Sequence, residues 1–533
     1  MFSFSSYFSA GYLAICLPAC VLFYALAGQR GRRVVLLLFS YLCFWAVSGK
    51  LIAYLLLSTL SIHHFGLWLS DAQERTKAEL AAAPKEERKA LRARAQTQQR
   101  WILALGLSIQ FGILLVLKYS PFAVSNLNSL LSLLGLSYSL RVPHFLLPIG
   151  ISFYTMQAAS YLFDVYRQKF PADRNLFRLA LFLGFFPQVM EGPICRYEQT
   201  ARQLWEAPPL RYANFMLGLQ RMSYGLMKKI IIADRLNLFI KNVFSHYENY
   251  DGLAIAVAAV CYTIQLYMDF SGTMDLAVGT GQIFGFQIPE NFQRPFFSRT
   301  IPEFWQRWHI TLGTWFKDYI FYPMSMSKPL KKLTSKARKH LGRHYGPLVA
   351  GTIALFCVWV CNGLWHGAAW SYLFFGMYHF ALILLGNLTQ PVTDKLTGAL
   401  HISRTSLPYR CFQIVRTSIL VCIGELFFRA NGLRAGLAMF KQMVTASTLE
   451  PLRSGSIFQM GMARKDFFIV ALLLGVIFVI GILQERGVHL GTRVAQAPIP
   501  VRFVLYYGVI LSLIIFGAYG AGYVPVDPIY AGF

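Results

Sequence analysis

The sequence predicts an all-α, polytopic integral membrane protein. Three observations carry this. Of 533 residues, 56% are hydrophobic and only 14% are charged, against roughly a quarter charged in soluble domains. Apolar runs near spanning length recur along the whole chain. The basic residues that give a formal net charge of +26 lie in short runs between those segments, the pattern of cytoplasmic loops, and this argues against nucleic acid as a partner.

The apolar runs fall near residues 11–28, 34–49, 51–70, 101–118, 144–163, 252–270, 347–364, 368–387, 411–428, 467–484 and 502–519. Several are shorter than the ~20 residues a helix needs to cross a bilayer, so the expected number of spans is about nine to eleven. Arg30, Arg32 and Arg33 follow the first run with no basic stretch before it. That order excludes a cleavable signal and places the N-terminus outside.

Residues 71–100, rich in Ala, Glu, Lys and Arg, read as an exposed cytoplasmic helical arm broken at Pro84. The run 328–346 carries basic residues and no acid, so it is expected on the cytoplasmic side against anionic lipid. Residues 271–325 are too polar to span and too apolar for a free loop. Backbone of that kind at membrane depth must be covered by protein or line a cavity.

Within that region, residues 300–323 read as one helix. Thr300 as N-cap with Glu303 forms a capping box, Pro302 sits in the first turn, and Pro323 limits the far end. Phe304, Trp308, Leu312 and Phe316 share one face, Glu303 and Arg307 pair on another, and His309 follows Trp305 by one turn. His366 is the second notable histidine. It stands in "CNGLWHGAAW" (361–370) between Gly363 and Gly367, with Asn362 one turn away. An ionisable group inside a span is costly and marks function by default, although the glycines also suit helix packing.

Asp269, Ser271 and Asp275 either line the same cavity or tie one helix to the next. Of the nine cysteines, Cys16, Cys20, Cys43, Cys261, Cys357, Cys361 and Cys422 lie in apolar stretches, where free Cys behaves as a small hydrophobe. Cys357, Cys361 and His366 lack a carboxylate or second His nearby, so no metal site is expected.

The chain resembles the membrane-bound O-acyltransferase family, in its bacterial alginate O-acetyltransferase-like branch. The resemblance rests on "LPIGISFYTMQAASYLFDVYR" (147–167), "FFPQVMEGPICRY" (185–197), "IQLYMDFSGTMDLAVG" (264–279), "PENFQRPF" (289–296), "EFWQRWHITLGTWFKDYIFYP" (303–323), "NGLWHGAAW" (362–370) and the closing residues 516–533. It implies a single domain over 1–533, with a ring of transmembrane and in-plane helices around a central funnel. In it, 71–100 is a cytoplasmic loop, 144–387 the catalytic core and 388–533 C-terminal helices.

By motif, His366 and His309 match the family's two catalytic positions, and Asn362, Trp305, Asp269, Ser271, Asp275 and Asp318 become candidates for the substrate channel. The implied activity is transfer of an acyl group, acetyl above all, from a cytoplasmic thioester to hydroxyls of an exported or cell-wall polysaccharide at the bacterial cytoplasmic membrane. The thioester is acetyl-CoA or a carrier-protein thioester, and no bound cofactor is implied. His366 is the expected base and His309 polarises the donor carbonyl or holds the incoming group. The implied partners are the lipid bilayer, an extracytoplasmic SGNH-type acyltransferase and an acyl carrier protein.

D-alanyl transfer from a carrier protein to teichoic acid is the alternative within the family. A transporter without chemistry is the alternative outside it, and it would be built from repeated halves with paired broken helices. The sequence has no such internal repeat, and no G-x-S-x-G elbow for a serine acyl-enzyme.

Overall fold

A computed structural model describes residues 6–519 and 523–526. Residues 520–522 and 527–533 of the closing family-like stretch lie outside the described residues. All regular elements among the described residues are helical, and the only β pairing is an isolated bridge between Phe292 and Trp308.

Eight helical stretches among the described residues are long and apolar enough to cross a membrane: Gln29–Ala82, Arg88–Leu133, Gly252–Ile283, Lys328–His366, Trp370–Ala399, Leu407–Arg429, Arg464–Glu485 and Ile499–Phe516. Gly11–Leu26 is a shorter apolar helix. Gln29–Ala82 is 54 residues long, enough for two spans at ~1.5 Å per residue. Gly49, with φ +54° and ψ −129°, breaks it after Gln29–Ser48, and Ile52–Ala82 follows. These are the two predicted runs, 34–49 and 51–70.

The charged arm forms as expected. One helix ends at Ala82, Ala83 is extended ahead of Pro84, and the next helix starts at Arg88. The basic run is also helical. It forms the start of Lys328–His366, set off from the apolar part by Gly342 at φ +77°.

Two expectations are corrected. The predicted span 144–163 is helical only from Ile151 to Tyr166, 16 residues, nearly all buried. Pro148 disfavours helix before it, and Gly150 is left-handed at φ +71° with the Val189 carbonyl where a Cβ would stand. The second correction concerns 271–325, expected not to span, whose first part belongs to a helix of spanning length. The helix from Gly252 runs on to Ile283 and so includes Asp269, Ser271 and Asp275, because these polar groups find partners on a neighbouring helix.

The described residues divide into two compact units, one from 6–219 and 277–289, the other from 220–276 and the described residues after 289. The first is centred on aromatic side chains with less than 2% exposure, among them Tyr12, Tyr24, Tyr161, Phe182, Phe186 and Phe284. The second has an apolar core drawn from the helices that hold Phe239, Ile255, Trp359, Phe375, Val421 and Met439.

Inside the second unit the π-helical turn Met227–Ala233 turns two consecutive lysines toward the Gly252–Ile283 helix. Lys229 Nζ lies 2.7 Å from Asp269 Oδ1 and 3.0 Å from Asp234 Oδ1. Lys228 Nζ donates to Asp275 Oδ2 at 2.7 Å and to Ser271 Oγ at 3.2 Å. Arg221 pairs with Asp275 and, at 2.7 Å, with Glu290. The helices meet backbone to backbone here, since a Cβ on Gly225 would lie 2.6 Å from the Gly272 carbonyl oxygen.

Candidate active site

The second unit holds both sequence-predicted histidines. The capping of the His309 segment is as predicted: Thr300 Oγ1 accepts from Glu303 N at 3.2 Å. The Glu303 carboxylate, however, reaches back to Arg299 N, at 2.9 Å. Glu303 and Arg307 form the expected ion pair at 3.0 Å, and Phe304 stacks on Trp308 with centroids 5.4 Å apart.

The single helix predicted over 300–323 does not form. The helix Ile301–Arg307 stops, Trp308 is extended, His309 is left-handed at φ +47° and ψ +50°, and a second helix runs Ile310–Phe316. The reason lies in residues 291–293. Gln293 N donates to the Arg307 carbonyl at 2.9 Å, and Ile310 N donates to the Asn291 carbonyl at 3.0 Å. This short pairing pulls the backbone out of helix on either side of His309, which then takes a conformation few non-glycine residues adopt.

Asn291 also fixes the His309 ring. Its Oδ1 accepts from Thr311 N and Thr311 Oγ1, each at 3.0 Å, and lies 3.3 Å from His309 Nδ1. A backbone N–H only donates, so the amide oxygen faces these groups, and an amide oxygen only accepts. His309 therefore carries its proton on Nδ1 and its lone pair on Nε2. Burial pushes the imidazole well below the usual histidine range, so the ring is neutral. Phe270, at 4.9 Å between centroids, and Trp365, at 5.3 Å, pack edge-on against it.

His366 ends the Lys328–His366 helix, where Gly367 turns to extended backbone. Its ring is buried between Trp365, Phe375 and Phe428, at 5.0, 6.0 and 5.1 Å. The His309 and His366 centroids are 6.5 Å apart. The flanking glycines serve packing. A Cβ on Gly363 would lie 2.5 Å from the Tyr372 carbonyl oxygen, and one on Gly367 2.2 Å from the Tyr372 ring. The helix starting at Trp370 therefore folds tightly back along the one that ends at His366. Asn362 is buried one turn before His366, and its Oδ1 has no hydrogen-bond partner among the described residues.

The other candidates separate. Trp305 belongs to the histidine cluster, whereas Asp269, Ser271 and Asp275 face Lys229, Lys228 and Arg221 in the charged seam. Asp318 sits half-buried on the π-helical turn Lys317–Phe321. Sequence reasoning missed two residues: Asn291, which orients His309, and His379, fully buried on the Trp370–Ala399 helix. An ionisable side chain within the apolar run 368–387 was the available signal for His379. Among the described residues no group of three His, Cys, Asp or Glu side chains is placed to hold a metal.

Residues 42–338, which include His309 and stop short of His366, match the sequence model of the membrane-bound O-acyltransferase family. The chain is 34% identical to the probable alginate O-acetylase AlgI of Pseudomonas syringae pv. tomato over 437 residues, 81% of this chain and 74% of the relative. It is 28% identical to the peptidoglycan O-acetyltransferase of Helicobacter pylori over 65% of each chain. Against the teichoic acid D-alanyltransferase of Bacillus subtilis it is 30% identical over 54% of this chain and 70% of the relative. With a similarity of this length and an all-helical, multi-pass architecture, the chain belongs to the membrane-bound O-acyltransferase family and is an O-acyltransferase that draws on an acyl donor.

Proposed function

We propose that this protein moves an acetyl group from a cytoplasmic thioester to hydroxyls of an exported or cell-wall polysaccharide, with His366 as general base. The observation that carries the reading is the pair of buried imidazoles 6.5 Å apart, one of them oriented by Asn291. The acceptor hydroxyl oxygen attacks the thioester carbonyl carbon, a C–O bond forms and the C–S bond breaks. His366 takes the hydroxyl proton and returns it to the leaving thiolate. An alcohol is a poor nucleophile near neutral pH, and base catalysis of this kind supplies roughly 10²–10⁴-fold.

Of the two parts expected of His309, the geometry favours holding the incoming group. Polarising the donor carbonyl requires an N–H at Nε2, and the Asn291 contact puts the proton on Nδ1. His309 Nε2 instead accepts a hydrogen bond from the incoming hydroxyl and holds it toward His366.

The chain works as one catalytic unit over 1–533, with 144–387 as its core, 71–100 as a cytoplasmic loop and 388–533 as C-terminal helices. It lies in the bacterial cytoplasmic membrane with the N-terminus outside. Acetyl-CoA is the favoured donor and a carrier-protein thioester the second, and the partner is an extracytoplasmic SGNH-type acyltransferase. D-alanyl transfer to teichoic acid is the second reading, on the strength of the 30% identity to the Bacillus subtilis enzyme.

Sealed inverted membrane vesicles test donor and sidedness together. Radiolabelled acetyl-CoA added outside such vesicles meets the cytoplasmic face and should be consumed, whereas in right-side-out vesicles it should not. Consumption only in right-side-out vesicles overturns the orientation, and consumption of a D-alanyl carrier thioester alone selects the second reading.

A further inference from the structure

His379 stands outside the pair of histidines that the family motifs mark, yet it is wired to both. Its Nδ1 accepts a hydrogen bond from Trp305 Nε1 at 3.3 Å. An indole N–H only donates, so the ring is neutral at Nδ1 with its proton on Nε2. The imidazole lies flat against Trp359, with centroids 5.6 Å apart at 24°, and meets the Phe375 ring at 4.8 Å. On the Nε2 side the Leu407–Arg429 helix closes the slot, since a Cβ on Gly424 would stand 2.7 Å from that nitrogen. His379 has no exposure at all.

The positions of its partners give this contact its meaning. Trp305 is one helical turn before His309, on the short helix Ile301–Arg307. Trp359 is two turns before His366 and, by helical periodicity, on the same face of its helix. The two indoles meet edge-on at 4.9 Å, and Phe375 touches the His366 ring as well as His379. Three separate chain segments therefore converge on one imidazole, and it makes the polar bond among them. Helix Ile301–Arg307 is only seven residues long, too short to hold its own orientation. Its end fixes the strained turn at His309.

We propose that His379 is a positioning residue for acyl transfer: by clasping the Trp305 indole it locks the His309 turn against the His366 helix end. This inference rests on the proposed reading of His366 and His309, and adds a third histidine that acts through Trp305 without touching substrate. The geometric demand is specific. A rotation of the short helix swings His309 relative to His366, and a misplacement of about 1 Å costs on the order of 10²-fold in rate.

The test compares kcat and KM for acetyl-CoA in membranes carrying the full chain. His379→Asn keeps an acceptor near the place of Nδ1 and should retain turnover within a few-fold. His379→Phe keeps the stacking surface but removes the acceptor, and should lower kcat at least 10-fold with KM little changed. Trp305→Phe removes the donor together with part of the ring that meets Trp359 and should give a similar loss, and the double variant should be no worse than either single one. Should His379→Phe fail to accumulate, Trp305→Phe against wild type carries the same comparison.

Wild-type kcat in Trp305→Phe, equal losses in His379→Asn and His379→Phe, or losses that multiply in the double variant would each overturn the clasp. His366→Ala in the same membranes reports separately on the underlying reading. An active His366→Ala protein sinks the base assignment. An inactive one beside a fully active His379→Phe protein sinks only the clasp.

Discussion

Two regions of the second unit bury ionisable groups, and they do so in opposite ways. In the seam between the Met227–Ala233 turn and the Gly252–Ile283 helix, Lys228, Lys229 and Arg221 meet Asp275, Asp269, Asp234 and Glu290 at ion-pair distance. Around His309, His366 and His379 the neighbours include Phe and Trp rings, the Tyr378 ring and an asparagine amide. Charge in the seam is matched by opposite charge. In the histidine cluster the ionisable groups are imidazoles in aromatic surroundings, which is where a proton can arrive during a reaction and leave again. Burial of a titratable group therefore does not by itself mark chemistry.

The largest effect that would sharpen this contrast is on the reaction. His366→Ala should lower O-acylation by about 10²–10⁴-fold while the protein accumulates in the membrane as before, because the pocket of Trp365, Phe375 and Phe428 around the ring is held by its own helices. Acylation measured on the exported or wall polymer, beside an immunoblot of membranes, checks both halves. Full acylation in cells with normal protein levels would falsify the base assignment.

The seam should respond in the reverse sense. Asp275→Ala strands Lys228 in a buried site and leaves Arg221 only Glu290. Removing one partner of a buried pair costs about 3–5 kcal/mol, so membrane-inserted protein and its thermal stability in detergent should both fall. The fraction that remains folded should keep its turnover. If Asp275→Ala were as stable as wild type but inactive, the seam would belong to the channel and the comparison would fail.

His309 tests the histidine side at smaller scale. Asparagine tolerates the left-handed backbone and places an amide N–H near Nδ1, so His309→Asn keeps the bond to Asn291 and loses the Nε2 lone pair. Turnover should drop at least ~10-fold, which is about 1.4 kcal/mol of transition-state stabilisation, with an unchanged melting temperature. Near-wild-type turnover would return this residue to the scaffold.

Hydropathy made most of the helices legible, because a span needs a long apolar run whatever its neighbours. Gly49, Pro84 and Pro148 punctuate them by local sterics, and Pro148 with the left-handed Gly150 shortens one helix to Ile151–Tyr166. The break at His309 could not be read locally: helical periodicity and a good cap run through it, and the chain that unpicks the helix lies at 291–293. The length of the Gly252–Ile283 helix was hidden for a similar reason, since Asp269 and Asp275 look unsuited to membrane depth until Lys229 and Lys228 are placed opposite. Those lysines were visible in "MKKIIIADR" (227–235) as a charged pair against an apolar run. His309 and His366 were legible only as motifs, and the tautomer of His309 needed the amide of Asn291.

The smallest predicted effect uses a partly exposed ion pair in the first unit as a third term. Asp173 accepts from Asn175 N at 2.8 Å, from Arg178 at 2.6 Å and from the Tyr197 hydroxyl. Burial would raise its pKa, but the Arg178 guanidinium, the Tyr197 hydroxyl and the Asn175 N–H outweigh it and hold the carboxyl below the usual range. A carboxyl depressed in the folded state binds protons more weakly there than when unfolded. Its contribution is therefore complete above the unfolded pKa of about 3.9 and is lost as pH falls through the lower folded value. Arg178 is 35% exposed, so solvent screening limits the contribution to about 1 kcal/mol. Asp173→Asn should accordingly melt slightly below wild type in detergent, by an amount that is constant from pH 8 to about pH 5 and closes in stronger acid. A gap that widened on acidification would mean that the carboxyl is raised on folding, and that this partly exposed pair behaves like neither the seam nor the histidine cluster.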